Sequence, residues 1–457
     1  MDDFCGLVQG NKRTRRLVKR LLFRSLDKVF RPVDDLDTRF RQEPASLKKL
    51  KKGDATWATT KLILGWLVDT IHKTITLPPH RVARLSEILA SIGPEQQYVS
   101  TKDWHKVLGE LRSMSLALPG SLGLFSIMQE AFRHEEKGRL RLRLTKSVHG
   151  FLEDFRWLAA DIASRPTRIA ELVPDPIPAT LGACDAAGAG MGGVHFVPTP
   201  EGNMVPLLWR QKFPPWVPQQ LVSFSNPAGV INNSDLELAG SIAHNDILAQ
   251  AADVSERTVH SSYDNTAAVY WQRKGAATTT GPPAYLLRLQ ALHQRYYRYV
   301  PLRDYIPGVA NKMADLLSRR WDLTDAQILA LFNATFPQQD APWRLCRLRK
   351  PLLSSLTSAL SKRRCVPESL MHMPEERIAI GSSGMSSACL NTLTPSFPAP
   401  RILSPFYKSL PPGTGTVDWL PAAGPSDLAQ FRMPCIQWAR NSPAWGPRIH
   451  GTTPRAR

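Results

Sequence analysis

Four acidic side chains sit where hydrolytic chemistry would want them. Asp185 lies in the strand-like run LGACDA, just before AAGAGMGG, whose glycines suit a tight turn or a close backbone approach. Glu237 falls in the first turn of a helical run that begins SDLELAG, Asp264 closes the run HSSYD, and Asp315 sits within NKMADLLSR. Carboxylates at strand ends and on helices packed over one sheet edge can converge on a single point. Such a cluster repels itself unless divalent cations bridge it. Two Mg²⁺ ions, with Mn²⁺ as a substitute, held roughly 4 Å apart would activate a water and stabilise the leaving oxygen of a phosphodiester.

Each of these residues also has a purely structural reading. Ser234 and Glu237 have the S-x-x-E spacing of a capping box, which would make Glu237 a helix-start device. Asp264 could cap the helix that follows it, Asp315 could be a solvated residue on a helix face, and Asp185 a turn residue beside glycine. Taken one at a time, the two readings stay open.

The elements that must carry these residues are legible from periodicity. Short strands are expected over LGACDA, MGGVHFVP and MVPLLWRQKF, then a helix over 234–251, a strand over 257–263, further helices, a strand over 300–306 and a helix over 310–321. That order predicts an α/β domain with a mixed sheet. Upstream, residues 11–31 place apolar side chains at helical spacing among arginines and lysines, a basic amphipathic helix. Residues 60–79 read as a β-hairpin with a polar break near Asp69. Helical patterns follow at 80–92, 101–117, 121–135 and 145–163, the second opening on Ser100 or Thr101 and the fourth on Thr145. RLRLRLTK (139–146) alternates with period two, as an edge strand with its arginines on one side would. Residues 336–360 read as ordered, and from 363 onward Ser, Pro and Gly predict a disordered tail.

Bulk properties narrow the partner. A formal charge of +19 and a pI near 9.9 attract polyanions, with nucleic acid the usual partner and an anionic membrane surface the competitor. The six cysteines show no CxxC pair and no zinc-ligand spacing, which fits a reducing compartment. The longest apolar run, LILGWLV, is far short of the roughly 20 residues that span a bilayer. No secretory signal is visible. These features lead to the expectation of a soluble, intracellular protein of the cytoplasm or nucleus, with no membrane partner.

The four acidic motifs, taken in order, resemble a known family. GACDAAGAGMGG, SDLELAG, YDNTAAV and DYIPGVANKMADLLSR together resemble the RNase H domain of retroelement polyproteins of the gypsy-like or DIRS-like kind. That family has an Asp in a first strand before a Gly-rich hairpin, a Glu entering the first helix, an Asp closing the fourth strand, and a final PG..N..AD.LSR segment. The likeness maps Asp185, Glu237, Asp264 and Asp315 onto its metal-binding carboxylates. It implies an RNase H-like mixed five-stranded sheet with flanking helices over 173–325, two Mg²⁺ ions, and cleavage of the RNA strand of RNA/DNA hybrids.

The upstream half resembles the same polyproteins. MDDF is similar to the end of a YxDD polymerase motif, LGWLVDTIHKTITLP to a primer-grip hairpin, and HRVARLSEIL with WHKVLGELRSM to thumb and connection helices. The resemblance implies a polymerase palm remnant and hairpin over 1–79, a helical thumb and connection over 80–172, a helical extension over 326–362 and the tail over 363–457. Asp2 and Asp3 would be the cut edge of the polymerase motif, without the tyrosine and third carboxylate that metal binding needs. Polymerisation by this chain alone is therefore not expected. Candidate contacts to a hybrid are Arg13, Arg16, Lys19, Arg20, Lys48, Lys49, Arg139, Arg141, Arg143 and Asn265, through phosphates rather than a base code. A non-catalytic nucleic-acid-binding remnant is the competing expectation.

Overall fold

The computed structural model describes residues 6–30, 46–53, 55–132 and 140–364. Asp2, Asp3, Arg139 and the expected tail from 365 onward lie outside the described residues. The upstream half contains α1 (Lys12–Phe30), α2 (Leu47–Lys51), β1 (Thr60–Ile63), β2 (Trp66–Asp69), β3 (Thr74–Thr76), α3 (Pro79–Ala90) and β4 (Tyr98–Ser100). It continues with α4 (Thr101–Ser115), α5 (Phe125–Glu130), β5 (Arg141–Arg143), α6 (Lys146–Ser164) and β6 (Thr167–Arg168). Helices α4 and α6 start where the sequence expects: Ser100 accepts the Asp103 N–H at 3.0 Å and Thr145 accepts the Val148 N–H at 3.3 Å.

The expected hairpin is a larger sheet. Leu64 and Gly65, at φ 51° and 82°, make the first turn with the two positive φ values that a tight two-residue hairpin loop requires. Asp69, expected as the polar break of the hairpin, builds the second turn: its Oδ1 accepts the N–H groups of Ile71 and His72 at 2.8 and 2.9 Å. The chain therefore returns as β3, which pairs with β6 from a hundred residues downstream. RLRLRL forms the short strand β5 against β4, with Leu142 buried and Arg141 and Arg143 exposed, as its alternation predicts.

The downstream half carries β7 (Leu181–Ala187), β8 (Gly190–Pro198), β9 (Met204–Lys212), α7 (Trp216–Gln219), α8 (Asn233–Ala251), β10 (Thr258–Tyr263) and α9 (Thr266–Lys274). After these come α10 (Pro282–Tyr297), β11 (Val300–Tyr305), α11 (Lys312–Arg319), α12 (Asp325–Thr335), β12 (Arg344–Cys346) and α13 (Lys350–Leu360). The sheet order is β11-β10-β7-β8-β9-β12. An antiparallel meander, β7-β8-β9, is extended on one side by β10 and β11, both parallel to β7, so the sheet is mixed as expected. Beyond the five expected strands, β12 adds a sixth, parallel to β9.

Helices cover both faces of this sheet. A Cβ at Gly193 would meet His244 of α8 and one at Gly192 would meet Leu317 of α11, and neighbouring strand residues point to opposite faces. Helices α10 and α13 pack behind α8. Burial on nearly every side explains why α8 lacks a polar face.

Burying charged residues in this layer requires partners for each of them. Asp246 of α8 accepts from Arg349, from Gln250 at 2.7 Å and pairs with His293 at 3.2 Å; burial raises its pKa, but these contacts outweigh it and hold the carboxyl below its usual range. Arg288 of α10 forms a fully buried bidentate pair with Asp154 of α6, one arm at 2.6 Å. Arg295, two turns on, reaches Asp161 at 2.6 Å and Thr167 at 2.9 Å. One helix thus ties the upstream half to the downstream half. Asp154 also accepts from Arg364 at 3.1 Å, so Arg288→Ala leaves the buried carboxylate one arginine in place of two and should lower unfolding stability in urea titration by less than the roughly 3–5 kcal/mol of a fully stranded charge. Asp154→Ala together with Arg288→Ala should recover much of that loss.

Candidate metal centre

Three of the four candidate carboxylates meet at one end of the sheet. Asp185, Glu237 and Asp264 each offer an oxygen within 4.8 Å of the other two. Strand pairing places Asp185 and Asp264 together: β10 runs parallel to β7 with Ser262 level with Ala183, so Asp264, just past β10, lies level with Asp185. Glu237 arrives from the opening turns of α8. The cap of that helix is not the expected one. Asn232 accepts the Asp235 N–H at 3.0 Å, and Asp235 accepts the Asn232 N–H at 2.9 Å, so the capping box lies two residues before Ser234 and Glu237. Glu237 is thereby left to the site. The same holds for Asp264: Asn265 caps α9, accepting the Ala268 N–H at 2.9 Å. Asn265, expected among the nucleic-acid contacts, uses its side-chain oxygen in this cap.

The segment PGVANKMADLLSR, from which only Asp315 was singled out, surrounds the cluster. A Cβ at Gly308 would come within 3.1 Å of an Asp264 oxygen, so the absence of a side chain there lets the chain run against that carboxylate. Asn311, fully buried, donates to the Cys184 carbonyl at 3.1 Å and fastens the segment to β7. The Ser318 hydroxyl donates to Asp185. The spacing of the carboxylates gave no sign of Gly308, Asn311 or Ser318; their presence in the quoted motif was the available signal.

Asp315 stands apart from the three. Its side chain is 45% exposed and ion-paired with Arg319 one turn on. Its charge still reaches Asp264. The candidate nucleic-acid residues Arg13, Arg16, Arg20, Lys48, Lys49, Arg141 and Arg143 are exposed, and Lys19 is half-buried.

Crowding of like charges in a buried setting shifts the cluster's protonation. Burial, then the fields of Asp185 and Asp264, push the Glu237 carboxyl well above its usual range, against a stabilising Ala186 N–H. Burial and the field of Asp185 push Asp264 up to about 6. One Glu237 oxygen is buried with no partner. Orphaned buried carboxylate oxygen amid an all-oxygen donor set suits a hard divalent cation, and the cluster could bind one.

The sign of the pH effect follows. Carboxyls whose folded pKa is raised favour the folded state below the unfolded value of 3.8, and that contribution is lost as pH rises through about 6. The cation-free protein should therefore lose thermal stability across this window. Glu237→Gln should flatten the loss and raise the melting temperature at pH 7, while reducing the stabilisation gained on adding a divalent cation, both read by calorimetric scans.

No protein-family model matches this chain, and no curated protein matches it. Among solved structures it is similar to foamy viral protease-reverse transcriptase dRH in complex with ds DNA, at 10% identity over 54% of this chain and 38% of that one, with a TM-score of 0.22. It is also similar to foamy viral protease-reverse transcriptase in complex with RNA/DNA hybrid, at 10% identity over 58% of this chain and 31% of that one, with a TM-score of 0.23. The chain spans less than two fifths of the length of either.

Proposed function

We propose that this chain carries an RNase H-type endonuclease that cleaves the RNA strand of RNA/DNA hybrids, as part of a retroelement reverse transcriptase polyprotein. The observation that carries the reading is the meeting of Asp185, Glu237 and Asp264, from a central strand, a helix start and a parallel neighbouring strand, within 4.8 Å. The order of motifs along the sequence and the net charge of +19 support it independently.

In this reading Asp185, Glu237 and Asp264 hold divalent cations, Mg²⁺ or Mn²⁺, with Asp315 available at the exposed rim for a second. When bound, such cations supply the positive charge that an attacking water and a departing 3′ oxygen need. Ser318 orients Asp185 by donating to one of its oxygens. Gly308 lets the chain lie against one Asp264 oxygen where a side chain would crowd it. Arg319, more than half exposed beside Asp315, presents a guanidinium at the rim where a substrate phosphate would lie.

The ion pair between Asp315 and Arg319 favours a second reading, a nucleic-acid-binding chain in which the fourth carboxylate is already neutralised and cleavage is absent. Purified protein with Mg²⁺ and a labelled hybrid separates the two. The nuclease reading expects cleavage of the RNA strand, lowered at least about 100-fold by Asp185→Asn, with binding of the hybrid retained. Equal cutting by both proteins would remove Asp185 from the site, and binding without cutting by either would favour the second reading.

A further inference from the structure

The loop between α7 and α8 carries the most exposed large apolar side chain among the described residues. It runs LVSFSNPAGVI from Leu221 to Ile231, and Phe224 at its tip is fully solvent-exposed at 106%. Val222 and Val230 beside it are about half exposed, at 47% and 49%. The loop is held by its own backbone. The Val222 N–H donates to the Ile231 carbonyl at 2.7 Å, and the N–H groups of Val230 and Ile231 donate to the Gln220 carbonyl at 3.0 and 3.1 Å. Asn226 straps the base, its side-chain amide donating to Gln219 and Leu221 carbonyls at 2.9 and 3.1 Å. A Cβ at Gly229 would meet the Val222 nitrogen at 2.6 Å, so the two arms touch only because position 229 is glycine. A phenyl ring displayed on so constrained a loop loses little conformational freedom on binding.

Its position is fixed against the site. Leu221 packs on Gly188, in the turn three residues beyond Asp185, and the far arm of the loop runs directly into α8, which carries Glu237. The loop therefore stands at the carboxylate end of the sheet. From Gly202 to Ser234 the chain holds no Asp or Glu, only Arg210 and Lys212 among charged residues. Arg210 is committed to Asp325 and two carbonyls, whereas Lys212 is exposed, its ammonium over the Trp321 ring. This stretch itself sets no carboxylate against a polyanion.

We propose that Phe224 is a stacking platform for an unpaired base of the nucleic acid brought to the carboxylates. Bases inside a duplex already have both faces covered, so a lone exposed ring finds a partner only where a hybrid opens into single strand. The favoured substrate is then a hybrid with a single-stranded junction beside the site. The inference rests on the assignment of nucleic acid as partner made above.

The test measures binding in an Asp185→Asn background, by fluorescence anisotropy, for a fully paired hybrid and for one of equal paired length with a single-stranded overhang. The overhang hybrid should bind more tightly, and Phe224→Ala should erase the difference by weakening that hybrid alone, roughly 5- to 100-fold. Phe224→Trp should keep the preference and show fluorescence quenching on adding the overhang hybrid. Phe224→Leu should behave as Phe224→Ala. Equal losses on both hybrids, no loss on either, or full rescue by Leu would each overturn the stacking assignment. Cleavage by the wild-type chain without these effects leaves the nuclease reading and removes this one; the effects without cleavage do the reverse.

Discussion

Three carboxylates held within 4.8 Å, two of them almost wholly buried, are a standing electrostatic cost that the rest of the downstream half must hold in place. Left free, the side chains would turn apart toward water. The sheet prevents this by carrying Asp185 on a central strand and bringing Asp264 level with it through parallel pairing, while α8 is packed too tightly to withdraw Glu237. Glycines at 192 and 193 let α11 and α8 press onto the strand next to Asp185. The site is thus strained in the ionised, cation-free state, and ligand binding can release the strain.

The polar layer behind α8 carries a different burden. Asp246, His293 and Arg349 form a network among α8, α10 and the start of α13, and Arg288 and Arg295 extend the same logic across to α6. Such pairs fix which helix lies against which more than they add stability. Their placement on α10 makes that helix the joint between the two halves, so a change in either half can be felt at the other through α10.

Much of this could be read from the sequence, and the failures have physical causes. The strand positions followed from alternation and punctuation residues, and the resemblance of the motif order pointed to four carboxylates, of which three converge. The α8 cap was misplaced because NNSDLE offers two overlapping boxes, Asn232 with Asp235 and Ser234 with Glu237, and spacing alone cannot choose. Packing chose, by burying Leu236 and Leu238. The Leu64–Gly65 turn, which splits the first arm of the expected hairpin into β1 and β2, was missed because it lies inside the apolar run LILGWLV and so looks like continuous strand. Asp315 followed by Arg319 has the helical spacing of an ion pair, and that competing role is legible in ADLLSR. Gly308, Asn311 and Ser318 act through contacts between segments distant in the chain, which periodicity does not report.

The short strand β12 bears on where this chain can be divided. Without Arg344–Cys346 alongside it, β9 would be an open sheet edge, presenting a row of unpaired backbone groups next to buried leucines. A cut at residue 325, where sequence patterns alone would end the domain, would leave that edge bare and ready to pair with another copy. The covalent unit that keeps this sheet edge covered therefore extends through β12, well past the segment that holds the carboxylate cluster.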